Sequence, residues 1–258
     1  VRFYRGVPAS NPEGLVTENW TLDLKQTAFV AIHCWNIGAP DGPPVPEEHW
    51  VDLGCTQNHE LGWCVLVDEI VPALAAARQA GLPIVHIQPE MIGNHYMHLQ
   101  PPLPERTPQP APYGWTPISD HASQRANRVH GDGYNDWEGW ARLDAPAPLK
   151  PRENETMIVA TDQFNAWLHS QGITTLIYVG FATNLCVLDA PAGMKPMAAL
   201  GYRCVMLREA TLAVEFPETL AERINTQVAL RYIEGWVGYT GSVRDFITGC
   251  QAETGVGR

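Results

Sequence analysis

Apolar residues fall into short unbroken runs, and these are separated by stretches whose apolar residues recur at helical spacing. Phe29 to Ile32, Leu82 to Ile87, Thr156 to Ala160, Ile173 to Val179 and Arg203 to Leu207 each read as strands buried on both faces. Trp236 to Tyr239 is the expected last strand. Val67, Ile70, Val71, Leu74 and Ala77 mark one helix, with Gly81 as its stop signal. Phe164, Trp167 and Leu168 line another, closed by Gly172. Leu220, Ile224 and Val228 mark a third. A final helix is expected from Ser242 to Thr248, ended by Gly249. Alternation of strands and helices predicts a three-layer α/β/α architecture around a mainly parallel, Rossmann-like sheet.

Two regions break the alternation. Residues 37–64 carry Gly, Pro, Trp and the side chains His49, Cys55, His59 and Cys64. Residues 89–150 are longer, with seven prolines between Pro101 and Pro117. An irregular stretch of that length in a compact domain usually serves as a lid or binding element. The chain is therefore expected to be one domain, 1–258, with a lid-like insertion at about 89–150. The alternative for the insertion is a surface wrap or subunit contact.

Composition narrows the classes. A chain of 258 residues can bury a full core as one domain. A net charge of −11 argues against nonspecific nucleic-acid binding and against an anionic membrane surface. No apolar run approaches the roughly 20 residues of a membrane span. Val1-Arg2-Phe3-Tyr4-Arg5 has no apolar core segment, so no signal peptide is expected. Six scattered cysteines suggest free thiols and a cytoplasmic setting.

The most specific chemistry lies at Gly180-Phe181-Ala182-Thr183-Asn184-Leu185-Cys186, between a buried strand and an expected helix. A helix N-terminus favours a thiolate, the reactive form of cysteine. Backbone N–H groups at such a turn can hold an oxyanion. Pro191, Gly193 and Pro196 predict a break in the helix soon after its first turn. Thr183 or Asn184 is the expected cap.

The pattern strand, G-x-A-T-N-x-C, helix resembles the signature of the isochorismatase-like cysteine hydrolases, a group that includes nicotinamidases, N-carbamoylsarcosine amidase and biuret hydrolase. The likeness covers most of the chain, excepting its ends, residues 37–64 and residues 91–150. It implies an isochorismatase-type fold, Cys186 as nucleophile, an oxyanion hole from the N–H groups of Ala182 and Cys186, and a cis bond at Phe181–Ala182. It also implies a homodimer or homotetramer. Two departures stand out. The family carries Asp at the end of its first strand, where Ala31-Ile32-His33-Cys34-Trp35-Asn36 places His33. It also carries Lys at the end of the third strand, where Met157 to Thr161 contains none.

His33 is the expected proton carrier, since a ring near pKa ~6.5 can accept a thiol proton and return it. The opposing possibility is a core histidine in a lapsed enzyme. Glu90, Asp162 and Glu209, near other strand ends, are candidate substrate-binding or supporting carboxylates. Trp35, Asn36 and Phe181 join them as candidate pocket residues. Cys55, His59 and Cys64, or His95 with His98, match no common zinc spacing closely, so no metal and no cofactor are expected. The expected activity is cysteine-dependent hydrolysis of a small amide, ureido or related C–N substrate. The alternatives are a non-catalytic ligand or partner binder and a redox-sensing thiol protein.

Overall fold

The computed structural model describes residues 1–104 and 121–254. Trp115 and the prolines from Pro108 to Pro117 lie outside the described residues. The strands are β1 (Arg2–Arg5), β2 (Gly14–Thr17), β3 (Thr27–Ile32), β4 (Ile84–Ile87), β5 (Thr156–Ile158), β6 (Thr175–Phe181), β7 (Arg203–Leu212) and β8 (Tyr239–Gly241). They form one sheet in the order β2-β1-β8-β7-β6-β3-β4-β5. All pairings from β8 to β5 are parallel, whereas β1 pairs antiparallel with β2 and β8. From β3 the chain builds outward through β4 and β5; from β6 it builds the other way through β7 and β8. The topological switch therefore lies between β3 and β6, where open α/β sheets hold their ligands.

The helices are α1 (Thr56–Val65), α2 (Val71–Gln79), α3 (Glu90–Gly93), α4 (His121–His130), α5 (Thr161–Gln171), α6 (Cys186–Asp189), α7 (Met194–Ala199), α8 (Ile224–Tyr232) and α9 (Val243–Thr254). Alternate residues of the central strands feed two cores. Phe29, Ala31, Ile177, Val179, Val205 and Leu207 pack with α2 and α9. Val30, Ile32, Tyr178 and Met206 pack with α5 and α7. This is the three-layer arrangement that the continuous apolar runs predict, because only a strand covered on both faces needs such a run. Among the described residues no helix is long and apolar enough to cross a membrane.

Several boundaries differ from the sequence reading. The β1–β2 hairpin was not expected. Residues 56–64, expected to be irregular, lie in α1, which runs through one π-helical turn (Leu66–Ile70) into α2. Asn58, His59, Gly62 and Val65 supply its buried face, a mixture too polar for apolar spacing to reveal. β7 continues to Leu212 by way of an irregularity opposite Tyr178 and Gly180. Trp236 and Val237, expected to open the last strand, belong to a π-helical turn (Ile233–Val237), and that strand is Tyr239–Gly241. Gly249 does not end α9: it is exposed with open space around it, while Val243, Phe246, Ile247 and Cys250 hold the helix on the core.

One buried ionic group fixes the β5 edge. Glu155 accepts from Arg78 Nε (2.7 Å) and Nη2 (2.9 Å), from His86 Nε2 (2.8 Å) and from the Arg152 N–H (3.1 Å). Burial alone would raise the Glu155 pKa, but the His86 and Arg78 hydrogen bonds outweigh it and hold it at about 2. A depressed carboxylate contributes stability above its unfolded pKa and loses it as pH falls through the folded value, here about 2. We expect Glu155→Gln to lower stability at pH 7 by about 3 kcal/mol. Thermal melts should show the deficit narrowing steadily as pH falls below about 4.5.

Candidate active site

Cys186 opens α6 directly beyond β6, at the switch point. The path between them is tightly specified. Gly180 has φ +123° and lies so close to β3 that a Cβ would stand 2.0 Å from the Ile32 carbonyl oxygen. The Phe181–Ala182 peptide is cis. The Thr183 N–H donates to the Leu212 carbonyl (3.0 Å). The Thr183 hydroxyl meets that of Thr211 (2.6 Å), which in turn donates to the Gly180 carbonyl (2.7 Å). Asn184 Oδ1 accepts from the Val214 N–H (3.0 Å). Thr183 and Asn184 thus tie the turn to the end of β7 and do not cap the helix, as the sequence had suggested. The expected break is present: α6 is a single turn, and Ala190 to Gly193 separate it from α7.

The Cys186 sulfur lies within hydrogen-bonding reach of the N–H groups of Ala182 and Cys186, and both favour the thiolate. Burial acts more strongly and, with the charge of Asp52, pushes the thiol up to about 11. A four-residue helix has too small a dipole to reverse this. The sequence-based expectation of a resting thiolate is therefore corrected. With the pKa raised from 9 to about 11, iodoacetamide should label Cys186 at pH 7 about a hundredfold more slowly than an unperturbed thiol. Labelling followed across pH by peptide mass spectrometry checks this; a component persisting at low pH would contradict it.

His33 follows β3 with φ +47°, an uncommon conformation outside glycine. Its N–H donates to the Ile87 carbonyl (2.9 Å) and its ring stacks on Trp35 at 5.6 Å. Nδ1 is buried and has no hydrogen-bond partner among the described residues. Burial pushes the ring down to about 4, so it is neutral at pH 7. Burial disfavours the charged form of both His33 and Cys186, which opposes an imidazolium–thiolate pair at rest.

Other expected residues take separate places. Trp35 Nε1 donates to Gln88 Oε1 (3.0 Å). Asn36 joins the strap after β3 to the insertion: its side chain donates to the carbonyls of Asp41 and Arg142 and accepts from the Asp144 N–H. Phe181 is a core residue. Glu90, Thr161, Asp162 and Asn165 line a cleft of about 490 Å³ whose wall does not include Cys186. Glu209 accepts from the Val243 N–H (2.9 Å) at the start of α9. Because β7 runs on to Leu212, Glu209 is not at a strand end. One shared crevice for all these groups, as the sequence implied, is not formed.

Sequence reasoning missed Asp52 and Tyr134. Asp52 sits in the strap before α1 with φ +48°. Burial pushes its carboxyl up to about 7, although the Leu53 N–H opposes the shift. Its charge acts on Cys186, Cys34 and Tyr134. Tyr134 feels both Asp52 and Cys186. The insertion brings Tyr134 there through a small core of Ile37, Val51, Ile92 and Leu143, flanked by Trp35, Trp137 and Trp140. No local motif marks an aspartate whose role comes from a distant cysteine.

The sheet order, the layers and the cysteine turn define a three-layer α/β/α scaffold with a mainly parallel sheet, and comparison with known proteins places it among the isochorismatase-type folds. The isochorismatase-domain family matches residues 64–227, and the chain belongs to that family of hydrolases. A cysteine hydrolase from Pseudomonas syringae superposes with a TM-score of 0.56 at 13% identity, over 91% of this chain and 97% of that one. An isochorismatase from Pseudomonas putida gives 0.52 at 14%, over 88% and 93%. An isochorismatase-like hydrolase from Alkaliphilus metalliredigens gives 0.50 at 17%, over 88% and 98%. At such identities these structures establish the fold alone.

Proposed function

We propose that the protein is a cysteine-dependent hydrolase of a small amide, ureido or related C–N substrate. The observation that carries this reading is the Cys186 sulfur set beside the N–H groups of Ala182 and Cys186. When the sulfur bonds to a carbonyl carbon, the oxygen on that carbon comes within reach of the same two donors. The C–N bond then breaks, an amine leaves, and water hydrolyses the thioester. The thiol proton must depart as the S–C bond forms, and a proton must reach the leaving nitrogen. His33 contributes a neutral, buried ring rather than a charged one. Trp35, stacked on His33, and Tyr134 favour a small planar group. The described part of the insertion that carries Tyr134 acts in this reading as a pocket wall.

A panel of primary amides, N-carbamoyl compounds and ureides tests it. Expected are turnover of at least one member and an acyl adduct on Cys186 by intact-mass analysis after acid quench. The raised thiol pKa favours one competing reading, a catalytically lapsed ligand binder. Thermal stabilisation by panel members with neither turnover nor adduct would establish the binder instead.

A further inference from the structure

We propose that Asp52 is the proton carrier of this site: its carboxylate takes the Cys186 proton as the sulfur attacks and returns it to the leaving nitrogen. The proposal rests on the hydrolase reading and names a catalytic group within it.

The cysteine turn and the strap holding Asp52 dock on the same three residues beyond β7. Thr183 N–H bonds the Leu212 carbonyl and Asn184 bonds the Val214 N–H. Between them, the Ala213 carbonyl accepts from Asn58 Nδ2 (3.3 Å), which also bonds the Leu53 carbonyl (2.8 Å). Val51 packs into the core under the insertion, and Leu53 into the core that contains Phe181 and Ala182. Asp52 therefore stands at the seam between the two, near enough for its charge to act on Cys186.

The strap is fixed from several directions. His59 Nε2 donates to the Val51 carbonyl (3.2 Å), and His130 Nδ1 to that of Trp50 (2.7 Å). The Trp50 N–H bonds back to the His130 carbonyl (2.9 Å), and the Gly54 N–H closes a turn on Val51 (2.8 Å). These contacts hold Asp52 in a left-handed conformation that a β-carbon resists. Among the described residues no lysine or arginine is among the groups that shift Asp52; those sharing its field are Cys186 on α6, Cys34 after β3 and Tyr134 on the insertion. A carboxylate buried without a cation costs stability, which points to function.

The proton accounting closes. As S–C forms, the S–H proton moves to the Asp52 carboxylate and the C=O π pair moves to the oxygen held by the two N–H groups. On collapse the C–N bond breaks and the Asp52 carboxylic acid protonates the nitrogen. A water then gives its proton to Asp52 and its oxygen to the thioester carbon. The thiolate leaves and recovers the proton. With Asp52 pushed up to about 7, both forms are populated near neutral pH. Transfer of the proton also removes the negative charge that opposes the thiolate.

The test uses Asp52→Asn and Asp52→Glu in the full chain, with iodoacetamide titration of Cys186 and hydrolysis of the panel amide that the wild type turns over fastest. In Asp52→Asn we expect Cys186 alkylation to titrate at lower pH, because a repelling charge is gone. We expect kcat/KM for the amide to fall by about 10²–10⁴-fold. The melting temperature at pH 8 should rise, since the folded state no longer carries the buried carboxylate; a purely structural Asp52 would give a fall. Asp52→Glu should retain an ionisation near neutral pH in its rate profile. An unchanged Cys186 titration in Asp52→Asn would overturn the proposal. So would amide hydrolysis within threefold of wild type with the same pH profile. Failure of the wild type on every panel amide would sink the hydrolase reading itself, while the iodoacetamide titration, which needs no substrate, still decides whether Asp52 and Cys186 are coupled.

Discussion

Cys186→Ala is expected to lower hydrolysis of any accepted amide at least about a thousandfold, because it removes the atom that forms the covalent intermediate. The fold should survive. The side chain is only partly buried, and the turn is held by Thr183, Asn184, Thr211 and the main chain, not by the sulfur. Melting temperature should therefore stay within a few degrees of wild type. Substrate affinity should also persist, so an equilibrium binding measurement on Cys186→Ala reports the Kd that catalysis otherwise hides. Cys186→Ser is nearly as severe a change, since a serine hydroxyl ionises far less readily than a thiol in a site already hostile to anions. Full activity in the alanine variant would remove the covalent mechanism outright.

Gly180→Ala should damage the fold severely. Two effects combine there. The backbone sits at φ +123°, which L side chains rarely adopt, and a Cβ would stand 2.0 Å from the Ile32 carbonyl oxygen. That oxygen belongs to a backbone paired in register with Gly180 itself, so it cannot swing aside as a flexible side chain would. Either the two central strands separate or the turn to Cys186 is rebuilt. A loss of about 4 kcal/mol or more is expected, corresponding to a fall in melting temperature of about 8–16 °C. Circular dichroism melts test this directly. A variant that melts like wild type would mean that the β3–β6 approach is looser than described here. Gly249→Ala is the control: that glycine lies in an exposed helical position with open space around it, so alanine there should leave stability unchanged or raise it by up to about 1 kcal/mol.

The contrast between those glycines bears on how far a sequence can be read. Both are single glycines near apolar residues, and Gly249 looked like a helix stop. Only the packing of Phe246, Ile247 and Cys250 on the core shows that the helix runs through it. Gly180 sits in a run where its role is visible, because the buried strand and the cysteine after it restrict what the turn can be.

Fold class, the central strands, the turn carrying Cys186 and the break after its first helical turn all follow from local signals. Apolar runs report burial on both faces, and prolines and glycines report where a helix must stop. Family membership follows from the same stretch. The charge state of the site does not. A strand end suggested an activated thiol and a basic His33, but desolvation disfavours the charged form of each and outweighs the dipole of one helical turn. Asp52 was invisible for a related reason. Its sequence neighbours are ordinary, and its significance comes from Asn58, Ala213 and the insertion core bringing the strap to the cysteine turn. Local sequence specifies backbone conformation and burial because both depend on neighbours along the chain. Protonation depends on every charge and solvent boundary within several ångströms, and those are assembled from segments more than 100 residues apart only when the chain folds.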